Sequence, residues 1–482
     1  MIGGQNMTAK LRGTTVLTAA ALLFLIAPRA QAAHNPTMTG VIDGVSGTTA
    51  TAPDGSTVRS FVLTAKSGYI STPDGNSVLV WGFAEGDGTV QYPGPTLIAN
   101  QGETIQVDLS SAIGVPVSIV FPGQTGVTAA EVTAPTAAGL LALEAGPPAS
   151  GAPGGTVRYS FVAQHPGTYL YQSGTRTELQ VEMGLVGALI VRPADFMQHH
   201  DMMRTAYGHM DSQYDVEYLF LVTEMDLRVH RLIEQGLTAQ VDTTDFFPVN
   251  WFFNGRCAPD TMLEPFVSWL PTQPYNCMPM VHPGKRMLLR VIGAGRDSHP
   301  FHFHGNHARV FARDGRLLSS NPADPMVGAD LGNEVFTIQT VPGQTVDAIW
   351  TWTGEGLGWD IYGHLHVDGQ PDPPLEPGEY AADHLKPFPV LLPENLDLVF
   401  GGMWSGSPFL GGMGALPPGE GGMNPSAGFT YMWHSHTEKE MCNNDIFPGG
   451  MMTMAIVLPP WVPLMEMPMP MQAGTNPLMG GR

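Results

Sequence analysis

Short runs of alternating apolar and polar residues recur along most of the chain, with turn residues between them. Residues 105–109 (Ile-Gln-Val-Asp-Leu) alternate with period two, and Pro-Asp-Gly turn signals stand at 53–55 and 73–75. A period of two places alternate side chains on opposite faces, as in a strand with one buried face. The pattern therefore predicts an all-β fold.

The predicted strands fall into two groups, which we assign to two β domains. The first group, with apolar runs at 117–121, 159–162 and 185–191, predicts a domain over about 40–195. The second predicts a domain over about 210–460, with runs at 214–221, 287–291, 335–338, 346–352 and 429–433 and an end near 458. Between about 366 and 428 the chain is rich in Gly, Pro and Met without a regular apolar period, which predicts a loop insertion in the second domain.

The beginning of the sequence has the pattern of an export signal. Residues 1–32 contain no acidic residue, and Lys10 and Arg12 precede an apolar run at 16–27 that is followed by Ala-Gln-Ala at 30–32. This order predicts a signal peptide over 1–32 and a periplasmic or secreted protein, with a retained anchor as the alternative. No later stretch is long and apolar enough to predict a membrane span.

Composition narrows the class of partner. The chain has 482 residues, a net charge of −21, 58 Gly, 43 Pro and only 13% charged residues. The turn-rich composition fits an all-β protein. The acidic charge disfavours nucleic acid or an anionic membrane as partner and favours cations.

Many of the 27 methionines lie in the insertion and in the tail at 461–482. Thioether sulfur binds Cu(I), so this tail is either a copper-capturing segment or simply disordered.

The strongest chemical signal is a pair of His-x-His motifs. His302 and His304 lie in the sequence His-Pro-Phe-His-Phe-His-Gly at 299–305, and His434 and His436 flank one serine far along the chain. On a strand, residues i and i+2 face the same way, about 7 Å apart. If the two strands are neighbours, four imidazoles converge on one face and form a site for copper or zinc.

The sequence contains three cysteines and does not decide whether two of them form a disulfide. Cys257 and Cys277 flank one loop-rich segment, so a disulfide between them and two free thiols are both possible. Cys442 lies near the second histidine pair and is a weaker metal candidate, with a buried or disulfide-bonded thiol as the alternative.

Taken together, these motifs resemble the laccase-like multicopper oxidase family. His-Pro-Phe-His-Phe-His-Gly resembles the family's C-terminal copper motif, and His434-Ser435-His436 followed by Gly450-Met451 resembles its closing motif. The resemblance extends over the first domain, in the runs 92–96, 102–104, 117–119, 167–171 and 184–191. It implies tandem cupredoxin-like Greek-key β-sandwich or barrel domains. It also implies copper as cofactor, dioxygen and a reducing substrate as reactants, and a homo-oligomer as one possible assembly.

The chain departs from the family at half of the expected ligands. The resemblance implies a trinuclear copper cluster held by eight histidines, four of them from the first domain. The corresponding positions of this chain are Val120, Pro122, Gln172 and Gly174. Val, Pro and Gly side chains carry no donor atom, and a glutamine oxygen is a poor ligand for copper.

The implied electron-entry copper is altered as well. The family's type-1 cysteine position is Ser435 and the second type-1 histidine position is Glu440, so His299 and, more weakly, Met451 are what remains of that site. A hydroxyl cannot replace the thiolate that defines a blue copper centre.

Three functions remain possible from the sequence. The first is an exported copper-binding protein that handles copper or confers resistance, with little or no laccase activity. The second is an active multicopper oxidase whose missing ligands come from another chain, and the third is a structural β protein with relic histidines. The four-histidine set disfavours the third, and the lost ligands disfavour the second for an isolated chain, so we favour the first.

Overall fold

The computed structural model describes residues 42–150, 152–194, 196, 204–353, 368–371, 374, 390–391, 423–424, 429–458 and 464. These residues form mainly β-strands, which confirms the all-β prediction, and they lie in one compact unit that spans 36–482. No helix in the described part of the chain is long and apolar enough to cross a membrane. The predicted signal peptide lies outside the described residues.

The first half of the chain forms a sandwich of two sheets. One sheet has the order β1-β2-β5-β10-β7, with β3 paired to β2, and the other has the order β4-β12-β11-β6. The strands are β1 Thr48–Thr51, β2 Thr57–Ser71, β3 Ser77–Glu85, β4 Leu97–Asn100, β5 Thr104–Ser111, β6 Ile119–Val120, β7 Thr128–Thr133, β8 Thr136–Ala138, β9 Leu143–Ala145, β10 Thr156–Val162, β11 Gly167–Ser173 and β12 Val186–Arg192. A short helix, α1 at Thr177–Gln180, follows β11.

The second half forms a larger sandwich. Its sheets have the orders β16-β15-β18-β24-β20-β21, with β22 paired to β20, and β17-β28-β27-β19-β23. The strands are β13 Arg204–Thr205, β14 Gln213–Tyr214, β15 Val216–Met225, β16 Asn250–Phe253, β17 Met280–Val281, β18 Arg286–Gly293, β19 His299–Phe303, β20 Ala308–Arg313, β21 Arg316–Leu317, β22 Asn333–Val335, β23 Thr337–Thr340, β24 Thr345–Thr351, β25 Val390–Leu391, β26 Met423–Asn424, β27 Phe429–Ser435 and β28 Met452–Val457. Helix α2, Leu227–Glu234, begins at Asp226, whose side chain accepts a hydrogen bond from the Arg228 amide.

Strict alternation builds both cores. In β5 every second side chain, from Ile105 to Leu109, is buried, as the period-two pattern predicts. These residues pack against Tyr171 and Leu189 of the facing sheet. An equivalent core fills the second sandwich, and a third cluster, including Tyr92, Leu170 and Phe252, joins the two. The prediction of one strand over 335–338 was wrong, because the chain breaks at Phe336 between β22 and β23.

A buried ion network also joins the two sandwiches. Glu217 is held between Arg192 of the first sandwich, which lies 2.8 Å from the carboxylate, and Arg290 of the second, which lies 2.7 Å from it. All three side chains are at most 2% exposed. Although burial opposes the charge of Glu217, the two guanidinium groups lower its pKa to about 2.

Several predictions fall on residues beyond this description. The boundary between the domains lies next to residues 195 and 197–203, and most of the predicted insertion at 366–428 and nearly all of the tail at 461–482 lie outside the described residues. Within the insertion, β25 and β26 pair with each other. Cys257 and Cys277 are free thiols in the structure, so the disulfide alternative was wrong.

Candidate metal centre

The two histidine motifs lie on neighbouring strands. β19 pairs antiparallel with β27, and the register places His302 opposite His434 and Phe301 opposite Ser435. Phe301 and Phe303 point into the aromatic core, where Phe301 contacts Phe220 and Phe253. The alternation that buries the phenylalanines puts the histidines between them on the other face of the sheet.

Four imidazole rings converge on this face. Ligand nitrogens of His302, His304 and His434 all lie within 4.8 Å of one another. The ring centroid of His436 lies 4.8 Å from that of His302 and 5.5 Å from that of His434. We call these four residues the histidine cluster. The ligand nitrogens of His302, His304 and His434 at these separations suit a single divalent transition-metal ion, and the ring of His436 lies beside them.

Hydrogen bonds outside the histidine cluster fix two of its rings. His302 Nδ1 lies 2.8 Å from Thr337 Oγ1. His434 Nδ1 donates to the Ser435 carbonyl at 2.7 Å, which leaves the lone pair of its Nε2 free to bind a metal. Trp433 Nε1 donates to the His304 carbonyl and so fixes the end of β19.

His302 and His434 are neutral at neutral pH, as metal binding requires. Burial, together with the neighbouring His434 and His436 rings, lowers the pKa of His302 to about 4. Burial also lowers the pKa of His434, against the hydrogen bond to the Ser435 carbonyl.

His299 lies on the inner face of β19 and does not join the histidine cluster. Its Nε2 donates to Glu224 Oε2 at 2.9 Å and its Nδ1 donates to Glu440 Oε2 at 2.8 Å. The Ser435 hydroxyl donates to the same Glu440 oxygen at 2.5 Å. Burial opposes the charged ring, but the two carboxylates raise the pKa of His299 to about 9. With both ring nitrogens protonated, His299 has no lone pair for a metal, which argues against the role assigned to it from the sequence.

The two weaker metal candidates are Met451 and Cys442. Met451 is fully buried in the apolar core of the second sandwich, and its carbonyl accepts a hydrogen bond from the Ser435 amide. Cys442 is a partly buried free thiol that follows a short 3-10 helix at Glu438–Met441. Among the His, Cys, Asp and Glu residues of the described chain, the group whose ligand atoms lie within 4.8 Å of one another does not include Cys442.

The first sandwich repeats the strand register of the histidine cluster with residues that cannot bind copper. β11 pairs antiparallel with β6, and Gln172 lies opposite Val120, as His302 lies opposite His434. A Cβ added at Gly174 would lie 2.7 Å from Val120 Cγ1 and 3.0 Å from Ser118 Oγ. Ser118 in turn bonds Thr175 at 2.8 Å. Position 174 therefore has no room for a larger side chain in this packing. Because Val120, Pro122 and Gly174 also carry no donor atom, the first sandwich does not fit its share of a trinuclear copper cluster.

Of the two partners of His299, Glu224 is the one that sequence reasoning missed. Glu224 on β15 also accepts hydrogen bonds from the backbone amides of Arg296 and Asp297, at 2.5 and 3.0 Å. Glu224 is an acidic residue within an apolar strand, in the sequence Leu-Val-Thr-Glu-Met. This feature is the signal by which it could have been found from the sequence.

Copper oxidases of known structure match the chain at low sequence identity. The multicopper oxidase mgLAC matches at 16% identity over 84% of this chain and 88% of its own, with a TM-score of 0.49. A blue copper oxidase from Nitrosomonas europaea matches at 16% identity over 82% of this chain and 85% of its own, also with a TM-score of 0.49.

Sequence comparison places the family likeness in the first sandwich. No curated protein matches the chain. Residues 70–195, which include β11, β12 and the closed positions described above, match the family model for multicopper oxidases.

Proposed function

We propose that this chain is an exported copper-binding protein that stores, delivers or sequesters copper and has little or no oxidase activity of its own. The observation that carries the proposal is the histidine cluster, in which three ligand nitrogens lie within 4.8 Å of one another. Imidazole sites bind Cu(II) more tightly than other divalent first-row ions, and the family match favours copper, whereas zinc finds no support.

The residues around the cluster argue against electron entry within one chain. A type-1 copper would need a thiolate at 435, where a serine donates to Glu440. Both ring nitrogens of His299 are bonded to carboxylates, so this residue does not line a pocket that could hold a metal ion. Copper bound at the histidine cluster would supply redox chemistry, and the chain's own contribution is to hold neutral, oriented imidazoles for it.

An oxidase that borrows ligands from a second chain is the alternative. Dioxygen and a reducing substrate would then be its reactants, as the match of residues 70–195 to the multicopper oxidase model suggests. A second copy of this chain would bring Val120 and Gln172 rather than histidines, so the missing ligands would have to come from a different protein.

The deciding experiment is metal content together with an absorption spectrum of the purified chain. We expect roughly one copper ion per chain and no intense blue band, because a blue band requires a thiolate ligand. His302→Ala and His434→Ala should each abolish binding, while His165→Ala, at an exposed site in the first sandwich, should leave it unchanged. Protein without copper would refute the proposal, and steady oxygen consumption with a phenolic or metal substrate would support the oxidase instead.

A further inference from the structure

The four histidines of the cluster are not held equally. His434 is 5% exposed and its ring is fixed by the Ser435 carbonyl, and His302 is partly buried and fixed by Thr337. Both partners belong to β-strands, so neither ring can turn away without breaking a bond to a rigid element. Such outer partners set ring orientation and typically change metal affinity by about 10–100-fold.

His436 is the most exposed of the four. It follows the last residue of β27, and its side chain is 53% exposed. Its Nδ1 lies 3.4 Å from Glu438 Oε1, on a side chain that is itself 75% exposed. Exposed pairs of this kind contribute little, so Glu438 orients the ring only loosely. The ring nevertheless lies within 5 Å of His302, between the buried histidines and solvent.

We infer that His436 is the exchangeable ligand through which copper enters and leaves the histidine cluster, an inference that rests on the proposed function. Transfer between carriers requires an incoming ligand to reach the metal from solvent before the last buried ligand lets go. At the cluster, the coordinate bond to His436 Nε2 breaks, a bond to the incoming ligand forms, and the oxidation state of the metal is unchanged. His302, His304 and His434 hold the ion meanwhile.

Release of Cu(II) to EDTA tests this order of events. In the full-length chain loaded with one equivalent of Cu(II), detachment of His436 precedes attack by EDTA. The release rate, followed by stopped-flow absorption, should therefore rise with EDTA concentration and then reach a plateau. His436→Ala should still bind one equivalent but lose the plateau, because the position is already open and the rate stays proportional to EDTA concentration.

A variant at Glu438 separates this role from a general loss of structure. Glu438→Gln weakens the hold on His436 and should raise the plateau rate, with affinity falling by less than the factor of about ten that marks a rigid outer partner. Glu178→Gln is the matched control, because Glu178 pairs with Arg176 two residues away at 3.3 Å and is also exposed. It should leave the release curve unchanged.

The outcomes distinguish this inference from the proposed function. If the wild-type chain binds no copper, both fail. If copper binds but His436→Ala keeps the plateau, or if His304→Ala removes the plateau while His436→Ala does not, the inference alone is overturned. An equal effect of Glu438→Gln and Glu178→Gln would also overturn it.

Discussion

The protonated ring of His299 between two buried carboxylates predicts a pH-dependent stability. Burial opposes its charge, yet the hydrogen bonds to Glu224 and Glu440 raise its pKa from 6.5 to about 9. Because folding raises the pKa, the stabilisation is complete below pH 6.5 and is lost as the pH rises through 9. At about 1.4 kcal/mol for each pKa unit, the rise in the pKa of His299 corresponds to about 3–4 kcal/mol in the free energy of unfolding. The ring is 1% exposed, so solvent screens little of this energy.

Urea unfolding of the metal-free chain in a chelating buffer, between about pH 6 and pH 10, measures this contribution. The free energy of unfolding should fall across this window in the wild type, and His299→Gln should remove most of the fall. His165→Gln is the control at an exposed site and should keep the wild-type slope. A wild-type free energy that stays constant across the window, or an equal slope in His299→Gln, would refute the assignment of a charged ring at this position.

Three further substitutions test the structure. Thr337→Val should lower copper affinity about 10–100-fold at unchanged stoichiometry in chelator competition, and Thr337→Ser should restore it. Glu217→Gln leaves two buried guanidinium groups unpaired and should cost about 3–5 kcal/mol in urea unfolding, whereas Asp108→Asn in an exposed pair should cost below about 1 kcal/mol; equal costs would contradict the account of the network. Gly174→His should cost about 1–3 kcal/mol more than Gly114→His, because a Cβ at 174 meets Val120 whereas position 114 is open, and a harmless Gly174→His with new copper binding would contradict the closed packing.

The outer face of the histidine cluster was predictable because its geometry is set locally. His302 and His304 alternate with core phenylalanines, and burial of Phe301 and Phe303 fixes which way the histidines point. The pairing of β19 with β27 joins residues more than 100 positions apart, and the sequence indicated it only through the second motif and the family resemblance. The prediction of the histidine cluster therefore rested on strand alternation and on the repetition of the His-x-His motif.

The inner face of β19 was predictable only in part, because the family resemblance named His299 and Glu440 whereas Glu224 belongs to no motif. Glu224 lies 75 positions from His299, and a single acid within an apolar strand does not say which cation it meets. The same limit applies to the first sandwich, where the sequence shows that ligands are missing but not that the site is closed. Contacts between Gly174, Val120 and Ser118 depend on how β6 meets β11, which only the three-dimensional packing defines.

Side chains alternate along β27, so a substitution on its inner face can leave the histidine cluster on its outer face unchanged. His434 faces the histidine cluster, while the next residue, Ser435, faces the opposite side and joins Glu440 and His299. A change at 435 therefore alters the inner face without moving a nitrogen of the cluster. An intact set of cluster histidines is for this reason compatible with a chain that has no electron-entry site. Electrons for copper held by His302 and His434 would have to arrive from the solvent side, past His436, which is the side from which we infer that the copper itself arrives.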